Sequence, residues 1–387
     1  MRLLLLADAN SPHVQKWVCA LAAQEEVTAV AVFSLNPLTT NAYDGLPNVQ
    51  IEAGTIPLSV MQGAGAREGL RKLGAYLRSV PRAQTLLRSF RPDVVQAHYA
   101  SSYGLIGALL VRRSGLPYVV SVWGSDVYDF PKSSVLNAML LRFNLWRANI
   151  VCSTSEAMAK KTASYTTPTK VRVIPFGVNT AVFRPLLMPP YFPLDSITGV
   201  YPIVIGTVKT MEPKYGIDDL LEAFSLLRLR LPTQPLKLLL VGGGTHLDEY
   251  RAEAQRLGIA DDTVFTGRVP FTEVVQWHNR IDVFIALSVL DSESFGVAAV
   301  EAAACSKPVV CSAVAGFREV VAANETGIIV PKHNAAAAAA ALATLVLSPT
   351  LRADFGTAGR ARVKKLYEWR TNVAAQMAVY DDVLAQK

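Results

Sequence analysis

The chain has 387 residues, with 38 Lys+Arg against 31 Asp+Glu and a formal charge of +7. That length predicts about two domains with full hydrophobic cores. A content of 51% hydrophobic against 18% charged residues excludes a disordered or solvating chain.

Mean hydropathy is +0.27, which raises the question of membrane spans. The most nearly uncharged stretches, 94–111 and 335–351, are broken by polar residues or close at Ser348 and Pro349. Neither is an unbroken apolar run of about 20 residues. The opening run 1–8 stops too early for a signal peptide and reads as a buried first strand.

In chain order, the first half shows strand-like runs at 3–7, 27–33, 94–97, 118–122, 150–152 and 171–174. The second half repeats the pattern at 203–208, 237–241, 264–266, 283–287, 308–311 and 328–330. These runs are short, rich in Val, Ile and Leu, and bounded by Gly, Pro or polar residues, as in parallel strands covered on both faces. Between the first two runs, Val14, Trp17, Val18, Leu21 and Ala22 form a helical stripe. Repeated strand–helix alternation predicts an α/β fold with right-handed crossovers.

Residues 67–91 carry Arg67, Arg71, Lys72, Arg78, Arg82, Arg88 and Arg91 against Glu68 alone, a surplus of six. Leucines at 70, 73, 77, 86 and 87 make the segment amphipathic. Such a segment lies on an anionic membrane surface, faces a phosphorylated lipid, or is simply a solvated helix face. Five prolines between 185 and 202 mark a linker. The expected division is a first domain over 1–184, a linker over 185–200, a second domain over 201–366 and a closing helical segment over 367–387. The run 334–347, with Asn334 as N-cap, is strongly helical.

Cys19, Cys152, Cys305 and Cys311 lie in apolar runs without CxxC spacing, as buried thiols of a reducing compartment. The five histidines lack metal-ligand spacing. The expectation is a cytoplasmic protein with no metal and no cofactor.

The most informative stretch is 291–305. Glu293 precedes Gly296 closely, and Glu301 lies eight residues beyond Glu293 among alanines and Val300. A helix opening near Phe295 and Gly296 leaves Glu293 in the entering loop and Glu301 inside the helix. A carboxylate in such surroundings needs a hydrogen-bonding partner, and a ribose diol supplies two donors. The helix opening offers amides suited to phosphate or sugar hydroxyls. Spacing alone equally allows Glu293 as a cap and Glu301 paired with a core arginine.

The Glu-x7-Glu segment resembles the signature of retaining glycosyltransferases of family 4, which have the two-domain GT-B fold. The resemblance extends to the segment 205–218 containing Lys209 and Lys214, to Gly242, Gly243 and Gly244 at a strand end, and to the run 174–179 followed by Phe183 and Pro185. It implies two facing Rossmann-like domains with parallel sheets and a deep cleft. It also implies transfer of a sugar from a nucleotide-diphosphate sugar to a glycan or polyprenyl-linked acceptor, as in bacterial surface polysaccharide assembly at the inner membrane face.

By the same resemblance Lys209 and Lys214 stabilise the departing pyrophosphate, although arginine usually stands where Lys209 does. Glu293 contacts the transferred sugar, Glu301 holds the ribose, and Ser294, Phe295, Gly296, Val297, Gly243 and Thr207 complete the donor site. Front-face attack is implied, a donor phosphate oxygen taking the acceptor's proton. In the first half, Trp123 stands where relatives place a histidine, which raises Asp126 and His98 as catalytic candidates, with His13, Asn10 and Trp123 on the acceptor side.

Two other readings compete. A dinucleotide-dependent oxidoreductase needs G-x-G-x-x-G, and the run from Gly242 to Leu247 lacks the third glycine. A nucleotide-sugar epimerase or a non-catalytic sugar-nucleotide binder of the same fold remains as the alternative. Nucleic acid is not an expected partner, because only Tyr76 and Phe90 interleave with the basic residues.

Overall fold

The structure, a computed structural model, describes residues 1–57, 66–112 and 114–386; for Ala66 and Arg67 only the backbone is described. The chain forms two compact units. One comprises Met1–Ile174 and the C-terminal segment from Asn372, and the other Pro175–Thr371.

In the first unit, seven parallel strands lie in the order β3-β2-β1-β4-β5-β6-β7. They are β1 (Arg2–Leu6), β2 (Ala29–Ser34), β3 (Val49–Ala53), β4 (Val94–His98), β5 (Tyr118–Val122), β6 (Ile150–Ser153) and β7 (Val171–Val173). The interior strands β1, β2 and β4–β6 are almost wholly buried, which accounts for their continuous apolar runs. Six of these seven strands match runs predicted above; β3 is the addition. It is an edge strand, Val-Gln-Ile-Glu-Ala, largely half-exposed, and its polar content hides it from a hydrophobicity reading.

The second unit holds six parallel strands in the order β10-β9-β8-β11-β12-β13. These are β8 (Ile203–Val208), β9 (Leu236–Val241), β10 (Thr263–Gly267), β11 (Val283–Ala286), β12 (Val309–Ser312) and β13 (Gly327–Val330). Helices Ile217–Arg230 and Ala335–Leu347 bury Phe224, Leu227, Leu342 and Leu345 in the core against this sheet. The alanine-rich helix is capped by Asn334, which accepts a hydrogen bond from the Ala337 amide.

The strand order reverses between β1 and β4 in one sheet and between β8 and β11 in the other, which is where open α/β sheets hold ligands. The proline-rich stretch is not detached from its unit. The side-chain oxygen of Asn279 accepts from the Leu186 amide at 2.8 Å, and its amide donates to the Arg184 carbonyl at 3.0 Å. The C-terminal helix Trp369–Ala385 contributes Tyr380 to the first unit, where its hydroxyl donates to the side-chain oxygen of Gln96 on β4. Among the described residues, no single helix is long and apolar enough to cross a membrane.

Candidate functional site

In the second unit the predicted donor residues gather at the switch point. Lys209 directly follows β8. Its amide donates to the Val241 carbonyl at 2.9 Å, and the Met211 amide to Gly243 at 3.0 Å, so the backbone ladder continues past the strands. The triple glycine makes that possible. A Cβ on Gly242, whose φ is +141°, would lie 2.0 Å from the Lys209 carbonyl oxygen, and one on Gly244 2.2 Å from that of Met211. Gly216 ends the turn Pro213–Tyr215 at φ +64°, where a Cβ would meet the Leu287 carbonyl oxygen at 2.0 Å. The loops after β8, β9 and β11 are therefore packed backbone to backbone.

This packing brings charges together. Lys209 Nζ lies 2.7 Å from Glu293 Oε2. Burial alone would lower the pKa of Lys209, but the Glu293 carboxylate, with Tyr215 and Glu301 behind it, outweighs that effect and raises it above the ordinary lysine value. The Tyr215 ring collects both lysines, with Lys209 Nζ 4.3 Å and Lys214 Nζ 4.8 Å from its centroid. Ser288 Oγ stands 3.4 Å from Glu293 Oε2.

Gly296, at φ +82°, is the N-cap residue of helix Val297–Ala304. Neither it nor Gly316 has room for a side chain. A Cβ on Gly296 would meet the Phe317 ring at 2.6 Å, and one on Gly316 the Glu293 carbonyl oxygen at 2.3 Å. The helix opening presents backbone amides. The Phe295 ring is core, edge-on to Tyr367 at 5.2 Å, so only its backbone is available to a ligand. Thr207 and Ser294 are buried, and Val297 is half-buried. Gly243 sits against Arg268, 3.3 Å from where its Cβ would be.

Glu301 lies on the same helix and is 8% exposed. Its partner is His278 on helix Val274–Arg280, whose Nε2 is 3.4 Å from Glu301 Oε2. The imidazole is fully buried, and its Nδ1 has no hydrogen-bond partner among the described residues; a proton on Nε2 makes the contact with Glu301 a hydrogen bond. The sequence offered a core arginine in this place, and no spacing connects two residues 23 positions apart.

In the first unit the candidates surround the ends of β1 and β4. Trp123 is 8% exposed, with its ring centroid 4.7 Å from His98, 5.0 Å from Tyr99 and 6.0 Å from His13. Burial pushes the pKa of His98 down to about 3, so its imidazole is neutral, and its Nδ1 has no hydrogen-bond partner among the described residues. Tyr99, at φ +67°, opens the π-helical turn Tyr99–Tyr103, a geometry common at functional sites.

Asp126 is committed to backbone. Its carboxylate accepts from the amides of Ala100 at 2.9 Å, Trp123 at 3.1 Å and Gly124 at 2.9 Å. Burial raises its pKa against the opposing pull of those bonds. Asn144 completes the clamp by donating to the Ala100 carbonyl at 2.7 Å. Asn10 is likewise occupied: its amide donates to the Pro37 carbonyl and its oxygen accepts from the Thr39 amide and hydroxyl.

The basic segment is the helix Ala66–Phe90, although the side chain of Arg67 lies outside the described set. Arg71, Arg78 and Arg82, all exposed, line the rim of a cavity of about 410 Å³ at the ends of β2 and β3, which Ser34, Thr55 and Ser79 also line. Arg82 is neutralised by Glu52 and donates to the Ala53 carbonyl at 2.9 Å. The cavity therefore keeps a positive surplus from Arg71 and Arg78. Ser34 also accepts from the Ala9 amide at 3.3 Å, which joins the cavity wall to the loop after β1.

Two regions match known families: residues 199–362 match the family described as "Glycosyl transferases group 1", and residues 2–155 that described as "Glycosyl transferase 4-like". The chain is 29% identical over 350 residues to a D-inositol 3-phosphate glycosyltransferase of Acidothermus cellulolyticus, covering 81% of this chain and 72% of that protein. It is 30% identical over 286 residues to a GDP-mannose-dependent alpha-(1-6)-phosphatidylinositol monomannoside mannosyltransferase of Mycolicibacterium smegmatis, covering 71% and 72%. In fold it resembles a sucrose-phosphate synthase from Thermosynechococcus elongatus, with a TM-score of 0.82, 22% identity and 100% of both chains covered. It also resembles Anabaena HepE in complex with UDP and glucose, with a TM-score of 0.78, 17% identity, and 99% and 100% covered.

Proposed function

The chain belongs to the group 1, family 4-type glycosyltransferases, and from that premise we propose that it transfers a sugar, with retention, from a nucleotide-diphosphate sugar to a phosphate-bearing, lipid-linked glycan acceptor. The observation that carries this reading is the cluster of Lys209, Lys214, Tyr215 and Glu293 at the switch point between β8 and β11.

In the proposed step, the acceptor hydroxyl oxygen bonds to the anomeric carbon on the face the pyrophosphate leaves. The bond from that carbon to the phosphate oxygen breaks, its electron pair stays on the phosphate, and the acceptor's proton passes to that departing phosphate. Lys209 and Lys214 stabilise the developing charge, a task that needs no metal. The carboxylate of Glu293 orients Lys209 and accepts from the transferred sugar's hydroxyls, while amides at the Gly296 turn hold the rest of the sugar. Glu301 accepts from the ribose diol, and His278 fixes its carboxylate.

On the acceptor side, Trp123, His13 and the neutral His98 form the sugar-facing wall, and Asp126 and Asn10 act as positioning residues. The arginine-lined cavity receives the acceptor's phosphate. The two relatives named above support that part, since both act, by name, on phosphate-bearing inositol compounds. In this reading the enzyme acts on its lipid-linked acceptor at the inner membrane face, in surface polysaccharide assembly.

The test is a thermal-shift screen with UDP and GDP, followed by turnover of the cognate nucleotide sugar with and without a phosphate-bearing acceptor. Stabilisation by one nucleotide and acceptor-dependent release of it supports transfer. An isomerised donor sugar in the absence of acceptor would overturn transfer in favour of an epimerase. Binding without turnover would leave a sugar-nucleotide binder.

A further inference from the structure

A second cationic region lies in the first unit, away from the arginine cavity in sequence. Between residues 130 and 172 stand Lys132, Arg142, Arg147, Lys160, Lys161, Lys170 and Arg172 against Glu156 alone. Its centre is the helix Val135–Arg147, which Ser134 caps by accepting from the Asn137 amide at 3.1 Å. The helix buries Leu141 and Leu145 inward, as an amphipathic helix should.

Its other face is also apolar. Val135 is 79% exposed, Leu136 54%, Met139 62% and Trp146 64%. Positions 135, 139, 143 and 146 fall on one side of a helix. Phe143, half-buried and packed against the core, borders the stripe, with its ring 6.5 Å from that of Trp146. Cations frame it. The guanidinium of Arg147 lies 5.6 Å from the Trp146 ring, that of Arg142 lies 5.6 Å from Tyr165, and Lys170 Nζ donates to the carbonyls of Trp146 and Ala148. Water gains nothing from such a stripe, and exposed apolar surface of this kind marks a docking face.

We propose that the helix Val135–Arg147 lies in the plane of an anionic lipid surface, with Val135, Leu136, Met139 and Trp146 in the boundary between headgroups and acyl chains. Charge decides the occupant. A second copy of this chain would set one surplus of six positive charges against another, whereas anionic headgroups neutralise it. Tryptophan beside arginine suits that boundary, with an apolar body and a polar tip. The inference rests on the proposal that the enzyme works at a membrane surface, and it assigns the contact to this helix, leaving the arginines of the helix Ala66–Phe90 to the acceptor's phosphate.

The test uses the full chain and vesicles of phosphatidylcholine alone or mixed with phosphatidylglycerol. Co-sedimentation should require the anionic lipid. Met139→Glu with Trp146→Glu should lower it about tenfold or more, with thermal midpoint and nucleotide-induced shift unchanged. Arg71→Ala with Arg78→Ala should leave it near wild type. Brominated lipid should quench the wild-type fluorescence more than that of Trp146→Phe. Wild-type binding retained by the double glutamate variant overturns the assignment. No wild-type binding to any vesicle overturns the membrane reading beneath it. A change in sedimentation velocity of the variants without loss of vesicle binding makes the face a self-association surface and also overturns the proposal.

Discussion

Lys209 Nζ and Glu293 Oε2 meet at 2.7 Å across the switch point of the second sheet, joining the ends of two strands that are neighbours in space and far apart in sequence. The carboxylate holds the lysine protonated against the cost of its burial. A charge held in place before the ligand arrives needs little reorganisation when a pyrophosphate begins to leave. Glu293→Gln keeps the shape and removes that charge. It should lower kcat by about a hundredfold while changing the donor KM far less. Steady-state kinetics on the cognate donor checks this, and a kcat within a few fold of wild type would remove Glu293 from the reaction.

Glu301 and His278 make a separate claim, about binding rather than chemistry. A nucleotide diphosphate at about a hundredfold excess over Kd should stabilise the protein by about 2.7 kcal/mol. Glu301→Ala should erase most of that shift. His278→Phe, which leaves the carboxylate in place but without its partner, should reduce it in part. A full shift in Glu301→Ala would take the ribose away from this residue.

Arg71 and Arg78 supply the uncompensated charge of the cavity beneath the helix Ala66–Phe90. Replacing either by Ala should raise the acceptor KM about tenfold, roughly 1.4 kcal/mol, with kcat little changed. Arg88→Ala, on the same helix but outside the cavity lining, is the control and should do nothing. Equal effects from all three would mean a diffuse field rather than a phosphate site.

His98 predicts a pH dependence. Its folded-state pKa is pushed down to about 3 from an ordinary value of 6.5, so in that interval the unfolded chain binds a proton that the native protein refuses. Stability therefore falls as pH drops from 6.5 toward 3, by about 1.4 kcal/mol per pH unit. Asp126 acts in the opposite sense: its raised pKa lets the native state take a proton first, so falling pH favours it above the ordinary value of 3.8. His98→Gln should flatten the acid limb, as read from urea midpoints across the interval. An unchanged slope would mean that the buried imidazole does not control it.

The alternating strands, the irregular course of the proline-rich stretch and the Glu-x7-Glu segment are legible in the sequence because each is a local pattern with one physical cause; where the units divide, between Ile174 and Pro175, is not. Burial on both faces makes apolar runs, a fixed φ breaks regular structure, and a helix opening with two carboxylates is compact in sequence. What the sequence hides is pairing across distance. Nothing near Glu301 points to His278. The spacing of Arg71, Arg78 and Arg82 shows that they share a face, but not that the face turns onto the ends of β2 and β3. Asp126 looks chemically available until the Ala100, Trp123 and Gly124 amides are seen around it. The outward stripe of the helix Val135–Arg147 escapes for a related reason, since only burial separates the inward Leu141 from the outward Met139.

Gly316 offers the most local test of how the site is held. A Cβ there would sit 2.3 Å from the Glu293 carbonyl oxygen and 2.7 Å from the Phe295 amide nitrogen. Gly316→Ala should destabilise the protein by about 2–4 kcal/mol and lower kcat together with it. Thermal unfolding and turnover measured on the same sample check both.

The close packing of Gly216, Gly242, Gly244 and Gly316 against neighbouring main chain also bears on how such a catalyst can be redesigned. Lengthening or swapping the loops that carry Lys209, Lys214 and Glu293 would wedge atoms into gaps that do not exist. If Ser294 and Val297 line the donor site as proposed, variation in donor preference has to be sought in side-chain exchange at such positions, with loop lengths held constant. A library built on that restriction should keep far more of its members folded than one that randomises insertions.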